Sequence, residues 1–186
     1  MLVETAALAD VVILTPRRFG DARGWFCETW NAARMEEAGL NFRWVQDNHS
    51  FSAAKGTLRG LHFQSPPRAQ DKLVRCSRGA ILDVVVDIRA GSPSCAQWLG
   101  VELSAGNGRQ LLVPKGFLHG FLTLTDDAEV QYKCSDLYSP EHDGAVRWDD
   151  PAIGIDWGIR APILSEKDAG APLLAEIGSP FRWGQT

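Results

Sequence analysis

An all-β fold, a jelly roll or double-stranded β-helix with a few short peripheral helices, is predicted by three features of this sequence. Short runs rich in β-branched and aromatic residues succeed one another from Phe42 to Leu137. Turn signals separate them: Ser77-Arg78-Gly79, Ala90-Gly91-Ser92-Pro93, Ala105-Gly106-Asn107-Gly108 and Asp126-Asp127. Helical periodicity is missing across about ninety residues, so the series reads as strand after strand. A double sheet or barrel is the stable arrangement for such a series, because it leaves few exposed edges.

The elements follow in order. Val11 to Leu14 is a β-branched run closed by Thr15-Pro16, and Arg17 to Gly24 is polar, with turns at Gly20-Asp21 and Arg23-Gly24. Trp25 to Trp30 alternates, placing Phe26, Glu28 and Trp30 on one face of a strand. Asn31 caps a short helix, AARMEEA, that Gly39 stops. RWVQDNHSFS then puts Trp44, Gln46, Asn48 and Ser50 on one side, a polar row suited to a pocket. The segments TLRGLHFQ, KLVRCS, AILDVVVDI, QWLGVEL, RQLLV, LHGFLTL and AEVQYKCSDL supply the further strands. After Asp136 the chain is rich in turn residues and Trp, and reads as irregular structure wrapped around the barrel. Ser165-Glu166-Lys167-Asp168 marks a helix start, with Asp168 at the capping-box position.

The totals bound the function. At 186 residues and 45% hydrophobic content the expectation is one domain spanning residues 1–186, with a sizeable core. A net charge of −4 gives no basic face for general nucleic-acid binding. No apolar run approaches the ~20 residues of a membrane helix, and no basic segment precedes the apolar residues of the N-terminus as in a secretory signal. Cys27, Cys76, Cys95 and Cys134 are widely spaced, and read as buried or half-buried thiols in a reducing cytoplasm.

Chemistry concentrates in two stretches. Gly56 to Gly79 carries Arg59, His62, Gln64, Arg68 and Lys72 along two strands joined by a Pro-Pro corner; Gly108 to Thr123 answers with His119. Their spacing is that of the cupin superfamily. A metal-binding cupin would have a second His where Gln64 stands and a Glu near Arg68. Cations in place of acids would repel a divalent ion, so neither metal nor cofactor is expected.

Beyond this, FGDARGWFCETW, QDNHSFS, KGTLRGLHFQ, DKLVRC, VVVDIR, PKGFLHGF, QYKCSDLYSPEHDGAVRWDDP and LSEKDAGAPLL resemble, in order and over nearly the whole chain, the dTDP-4-dehydrorhamnose 3,5-epimerase family. The resemblance implies proton abstraction and return at carbons 3 and 5 of a 4-keto hexose, within dTDP-L-rhamnose synthesis. Such a reaction needs a base, an acid on the other face and a cation at the carbonyl oxygen; the resemblance assigns these to His62, Tyr132 and Lys72. Imidazole suits the base, being partly neutral at cellular pH. Asp168 would orient it as a carboxylate does in a triad, or cap its helix, or do both.

The resemblance further implies that Arg23 and Arg59 bind the diphosphate, where a guanidinium fork fits. Phe26 and Tyr138 would sandwich thymine. Glu28, Gln46, Asn48, His119, Asp143 and Lys167 would bind nucleotide or sugar, Asp143 standing where the family often has Glu. Arg23, Phe26 and Glu28 are expected to reach a neighbouring subunit's pocket, which implies a homodimer. Taken singly, these residues read as a core histidine, a solvated turn arginine, core aromatics and a polar strand face. Single-centre epimerisation, ketoisomerisation, sugar-nucleotide binding without catalysis and metal-dependent oxygenation are the rival readings. One geometric expectation is sharp: strict alternation puts Arg59 and His62 on opposite faces, so a bulge at Gly60 must bring both inward.

Overall fold

The structure, a computed structural model, describes residues 1–185. Two antiparallel sheets face each other. The first has six strands in the order β1 (Leu2–Thr5), β2 (Val12–Thr15), β10 (Gln110–Val113), β7 (Lys72–Arg78), β12 (Ala128–Cys134) and β5 (Gln46–Ser52). The second has five, ordered β13 (Asp143–Ala145), β6 (Leu58–Gln64), β11 (Phe117–Thr123), β8 (Ala80–Asp87) and β9 (Trp98–Ser104). A ribbon of β3 (Arg18–Asp21) and β4 (Gly24–Cys27) forms a separate two-stranded sheet. The helices are short: α1 (Ala32–Glu37), α2 (Glu166–Ala169) and α3 (Leu174–Ile177). Asn31 caps α1 by accepting from the Arg34 backbone N–H, and Gly39 ends it at φ +75°.

Alternation sorts each strand's side chains between three apolar layers. Val74, Cys76, Ile81, Val85, Leu103, Leu111, Phe117, Phe121 and Val130 fill the space between the sheets. On the outside of the five-stranded sheet, Leu58, Leu61, Val84, Val86, Leu118 and Leu122 are covered by Val146, Ile153, Trp157 and Phe181 of the tail. That sheet is therefore buried on both faces. Outside the six-stranded sheet, Val12, Leu14, Leu73 and Leu112 pack against Met35 of α1, with Trp30, Phe42 and Trp44 beside it. Each large apolar side chain so buried contributes ~1.5–3 kcal/mol.

Three expectations need correction, and one strand went unread. The alternating segment Trp25–Trp30 is a strand only through Cys27, and Trp25 and Phe26 are 60% and 69% exposed on a ribbon that joins neither sheet. The tail is not wholly irregular: Asp143–Ala145 pairs with β6, and Leu174–Ile177 is helical. Leu2–Thr5, unremarked in the sequence, pairs with β2. Cys95 is exposed in the turn before β9, whereas Cys76 and Cys134 are buried.

An ionic knot ties the tail to the barrel. Arg89, 2% exposed, donates from Nε and Nη2 to the Asp87 carboxylate at 2.9 Å, and from Nη1 to Asp10 at 2.7 Å. Its guanidinium lies 4.4 Å from the Phe117 ring centroid and 4.3 Å from that of Trp183. Burial would raise the Asp87 carboxyl, but hydrogen bonds from Arg89, Ser92 and Ser94 hold it below the usual range. Arg89→Ala strands that carboxylate and is expected to cost about 3–5 kcal/mol, read as the shift of the urea midpoint.

Candidate active site

Leu58 and Leu61 both point out to the tail, while Arg59 and His62 both line the cavity between the sheets. Simple alternation forbids this, since it would send His62 to the same side as Leu58. The register resolves the conflict: His119 faces His62 and Phe121 faces Arg59, so Gly60 and Leu61 together oppose Gly120. The expected bulge is present. Gly60 sits at φ +120°, and a Cβ there would fall 2.6 Å from the Gly120 Cα and 2.8 Å from the His119 carbonyl oxygen. Gly60→Ala is therefore expected to force β6 from β11, lowering the melting temperature by several degrees and displacing His62; a thermal melt and an activity assay read both.

His62 is held from the tail. Its Nε2 lies 2.6 Å from Asp168 Oδ1, and an ionised carboxylate only accepts, so Nε2 carries the proton and Nδ1 is left with the lone pair. Ser165 caps α2 by accepting from the Asp168 backbone N–H at 3.1 Å, which sets the turn that aims the carboxylate. Asp168 thus lies at a cap and pairs with His62 at once. Burial opposes its ionisation, yet the hydrogen bond and charge of His62, with Ser165 and the Gly60 amide, keep its carboxyl below the ordinary value.

Lys72 and Tyr132 come from the facing sheet. Lys72 heads β7 with its side chain inward, opposite Cys134 of β12; Tyr132 shares the inner face with Val130 and Cys134. The Lys72 ammonium has no hydrogen-bond or ion-pair partner among the described residues. Burial pulls its pKa down, while Cys134, Asp143 and Asp83 pull it back up. Burial pushes the Tyr132 phenol up, aided by Cys134 and Asp143 and opposed by Arg59. A cavity of about 400 Å³ is lined by Arg59, His62, Lys72, His119, Tyr132 and Asp168. An adjoining one of about 390 Å³ shares His62, Lys72 and Tyr132 and adds Gln46, Asn48, Tyr138 and Asp143.

At that second mouth, Gln46 donates to Asn48 at 3.0 Å and accepts from the Tyr138 backbone N–H at 2.9 Å. Tyr138 donates to Asp143 at 3.2 Å, and Lys167 forms an ion pair with the same carboxylate. Three of the candidate residues are not brought to this chain's cavity. The Arg23 side chain is 90% exposed and pairs with Asp21, Phe26 projects into solvent, and Glu28 pairs with Arg34. Gln64, where a metal-binding relative would have His, is spent on structure: it donates to the Arg68 and Leu137 carbonyls and accepts from the Ser139 N–H. Arg68 pairs with Asp136.

Sequence reasoning missed Asp83. This carboxylate is fully buried and accepts from His119 Nε2 at 2.8 Å. The signal was an acid in the middle of AILDVVVDI, flanked on both sides by three apolar residues: a charge there must have a partner across the sheet.

The chain resembles known proteins over nearly its whole length. The family model described as dTDP-4-dehydrorhamnose 3,5-epimerase matches residues 5–176. The enzyme of that name from Salmonella typhimurium is 53% identical over 176 residues, 94% of this chain and 96% of the relative. The Bacillus anthracis dTDP-4-dehydrorhamnose 3,5-epimerase, solved with TDP and pyrophosphate bound, superposes with a TM-score of 0.91 at 50% identity, covering 93% of this chain and 99% of that one. The Legionella pneumophila dTDP-6-deoxy-D-glucose-3,5-epimerase, solved with dTDP-4-keto-L-rhamnose, gives 0.91 at 45% identity and 98% coverage of both chains. Fold, site and sequence lead to one conclusion: the chain belongs to the dTDP-4-dehydrorhamnose 3,5-epimerase family.

Proposed function

We propose that this protein is a cofactor-independent epimerase that converts dTDP-4-dehydro-6-deoxy-D-glucose to dTDP-4-dehydro-L-rhamnose, in dTDP-L-rhamnose synthesis. One observation carries the reading: a histidine on one sheet, with Nε2 held by a buried carboxylate and Nδ1 free, looks across a cavity at a tyrosine on the other sheet. Facing sheets pack about 10 Å apart, which leaves room for a sugar ring between the two groups.

The 4-keto group acidifies the hydrogens on carbons 3 and 5, because the resulting carbanion is an enolate. His62 Nδ1 removes one of them, and Asp168 stabilises the imidazolium formed. Lys72 supplies the positive charge for the oxygen that becomes an enolate. Tyr132 then delivers a proton from the opposite side, so the carbon is inverted; its raised pKa keeps the phenol protonated until that moment.

Arg59 is placed to hold the diphosphate, Gln46, Asn48, His119, Asp143 and Lys167 to bind sugar or nucleotide, and Tyr138 to stack on thymine. Arg23, Phe26 and Glu28 serve the neighbouring subunit's pocket in a homodimer. The exposure of Arg23 and Phe26 on a ribbon that pairs with neither sheet of this chain supports that role, as do the exposed Phe19 and Trp25 beside them. The free thiols support a cytoplasmic setting. Among the described residues no helix is long and apolar enough to cross a membrane.

Incubation with the 4-keto sugar in deuterated buffer, followed by NMR, tests the reading. Inversion at both carbons, with deuterium taken up from the buffer, is expected. Inversion at one carbon only would make it a single-centre epimerase, and binding without exchange would make it a sugar-nucleotide binding protein.

A further inference from the structure

The cavity holds a second histidine–carboxylate pair that the chemistry above does not use. His119 stands directly opposite His62 on the neighbouring strand, and both rings line the same cavity. Directly opposed residues in an antiparallel pair have Cβ atoms about 4.5–5.5 Å apart, so the two imidazoles are neighbours. Each is bound in the same way. Asp168 accepts from His62 Nε2 at 2.6 Å, and Asp83 accepts from His119 Nε2 at 2.8 Å. In His119, as in His62, Nδ1 has no hydrogen-bond partner among the described residues.

The surroundings of Asp83 differ from those of an ordinary structural acid. It is fully buried, and its second oxygen, Oδ2, has no partner among the described residues. Removing a carboxylate from water costs several kcal/mol unless charge nearby compensates it. A neutral imidazole gives only one hydrogen bond, whereas an imidazolium gives the same bond and a full positive charge. Asp83 therefore fixes His119 with Nε2–H on the carboxylate and leaves Nδ1 as the bare nitrogen open to a proton.

Two inversions create a use for such a ring. Each inversion leaves His62 with one proton too many, as imidazolium, and Tyr132 with one too few, as phenolate. Neither can act again at the second carbon until the proton returns, and the sugar lies between them.

We propose that the Asp83–His119 pair returns the proton from His62 to Tyr132 between the two inversions, with Asp83 as the positioning residue for the relay. His62 Nδ1–H passes its proton to His119 Nδ1, and His119 passes it to the Tyr132 phenolate. The balance closes: His62 ends neutral with its lone pair restored, Tyr132 ends as phenol, and His119 ends as it began. This rests on the double epimerisation proposed above.

The test is a single-turnover reaction with enzyme in excess, following inversion at each carbon by NMR in wild type, Asp83→Asn and His119→Gln. In Asp83→Asn the first carbon is expected to invert at near the wild-type rate. The second should slow at least tenfold relative to it, so that singly inverted sugar accumulates. His119→Gln should lower the same ratio of second to first inversion, and it decides the matter if Asp83→Asn does not fold. Equal slowing of both carbons, or an unchanged ratio, would overturn the relay. Wild type that inverts one carbon alone overturns it as well, while wild type that inverts neither sinks the epimerase reading itself.

Discussion

Replacing His62 with alanine is expected to abolish both deuterium exchange and product formation, with a fall in kcat of about a hundred- to ten-thousand-fold. Asp168 sets the imidazole of His62 to stabilise the charge it takes up, and alanine offers no basic nitrogen in its place. Tyr132→Phe should lose product to a similar degree but differ in one respect. His62 still removes a proton and can return a deuteron to the same face, so exchange without inversion should persist. NMR of the recovered sugar separates the two variants. Inverted product from Tyr132→Phe, or exchange in His62→Ala, would remove that residue from its role.

The second large effect belongs to Lys72. Lys72→Gln removes the cation facing the developing enolate and is expected to lower kcat about a hundred- to a thousandfold. Its charge also predicts a pH limb. Burial pulls the ammonium's pKa below the ordinary lysine value of about 10.4. As pH rises, the charge is lost early and kcat falls with it. The limb does not belong to Tyr132, whose phenol is shifted the other way. Lys72→Arg keeps a cation at every accessible pH, so the alkaline limb should vanish while kcat drops from altered geometry. The linkage to stability has a definite sign. Between the folded and unfolded pKa values the unfolded chain binds more protons, so this group makes folding more favourable as pH rises through that window. Retention of the alkaline limb in Lys72→Arg would assign it elsewhere.

Much of this site is legible in the order of residues alone. The alternation of Gln46, Asn48 and Ser50 announces a polar inner face, and the strand carries them there, whereas Trp44 of the same expected row lies before the strand and packs beside α1. Gly60 between Arg59 and His62 requires a bulge, because two functional residues three apart cannot share a face in a regular strand. Ser165 marks the turn that presents Asp168. The ribbon is less legible: Trp25 and Phe26 look like packed aromatics, since composition does not tell which apolar residues the same chain will cover. The Asp143–Ala145 strand hides inside a turn-rich segment, where three residues carry no periodicity to read.

Local pattern alone determined the central strands, the face most of their side chains take and the residue types on offer at Arg59, His62, Lys72 and Tyr132, because pleating and residue type are properties of short segments. Pairing across the chain decided the rest. His62 meets an aspartate 106 positions away, and His119 meets Asp83 across two strands, only once the tail and β8 have docked. A carboxylate chooses its partner by distance in space, and that distance exists only after the sheets have closed on their common core.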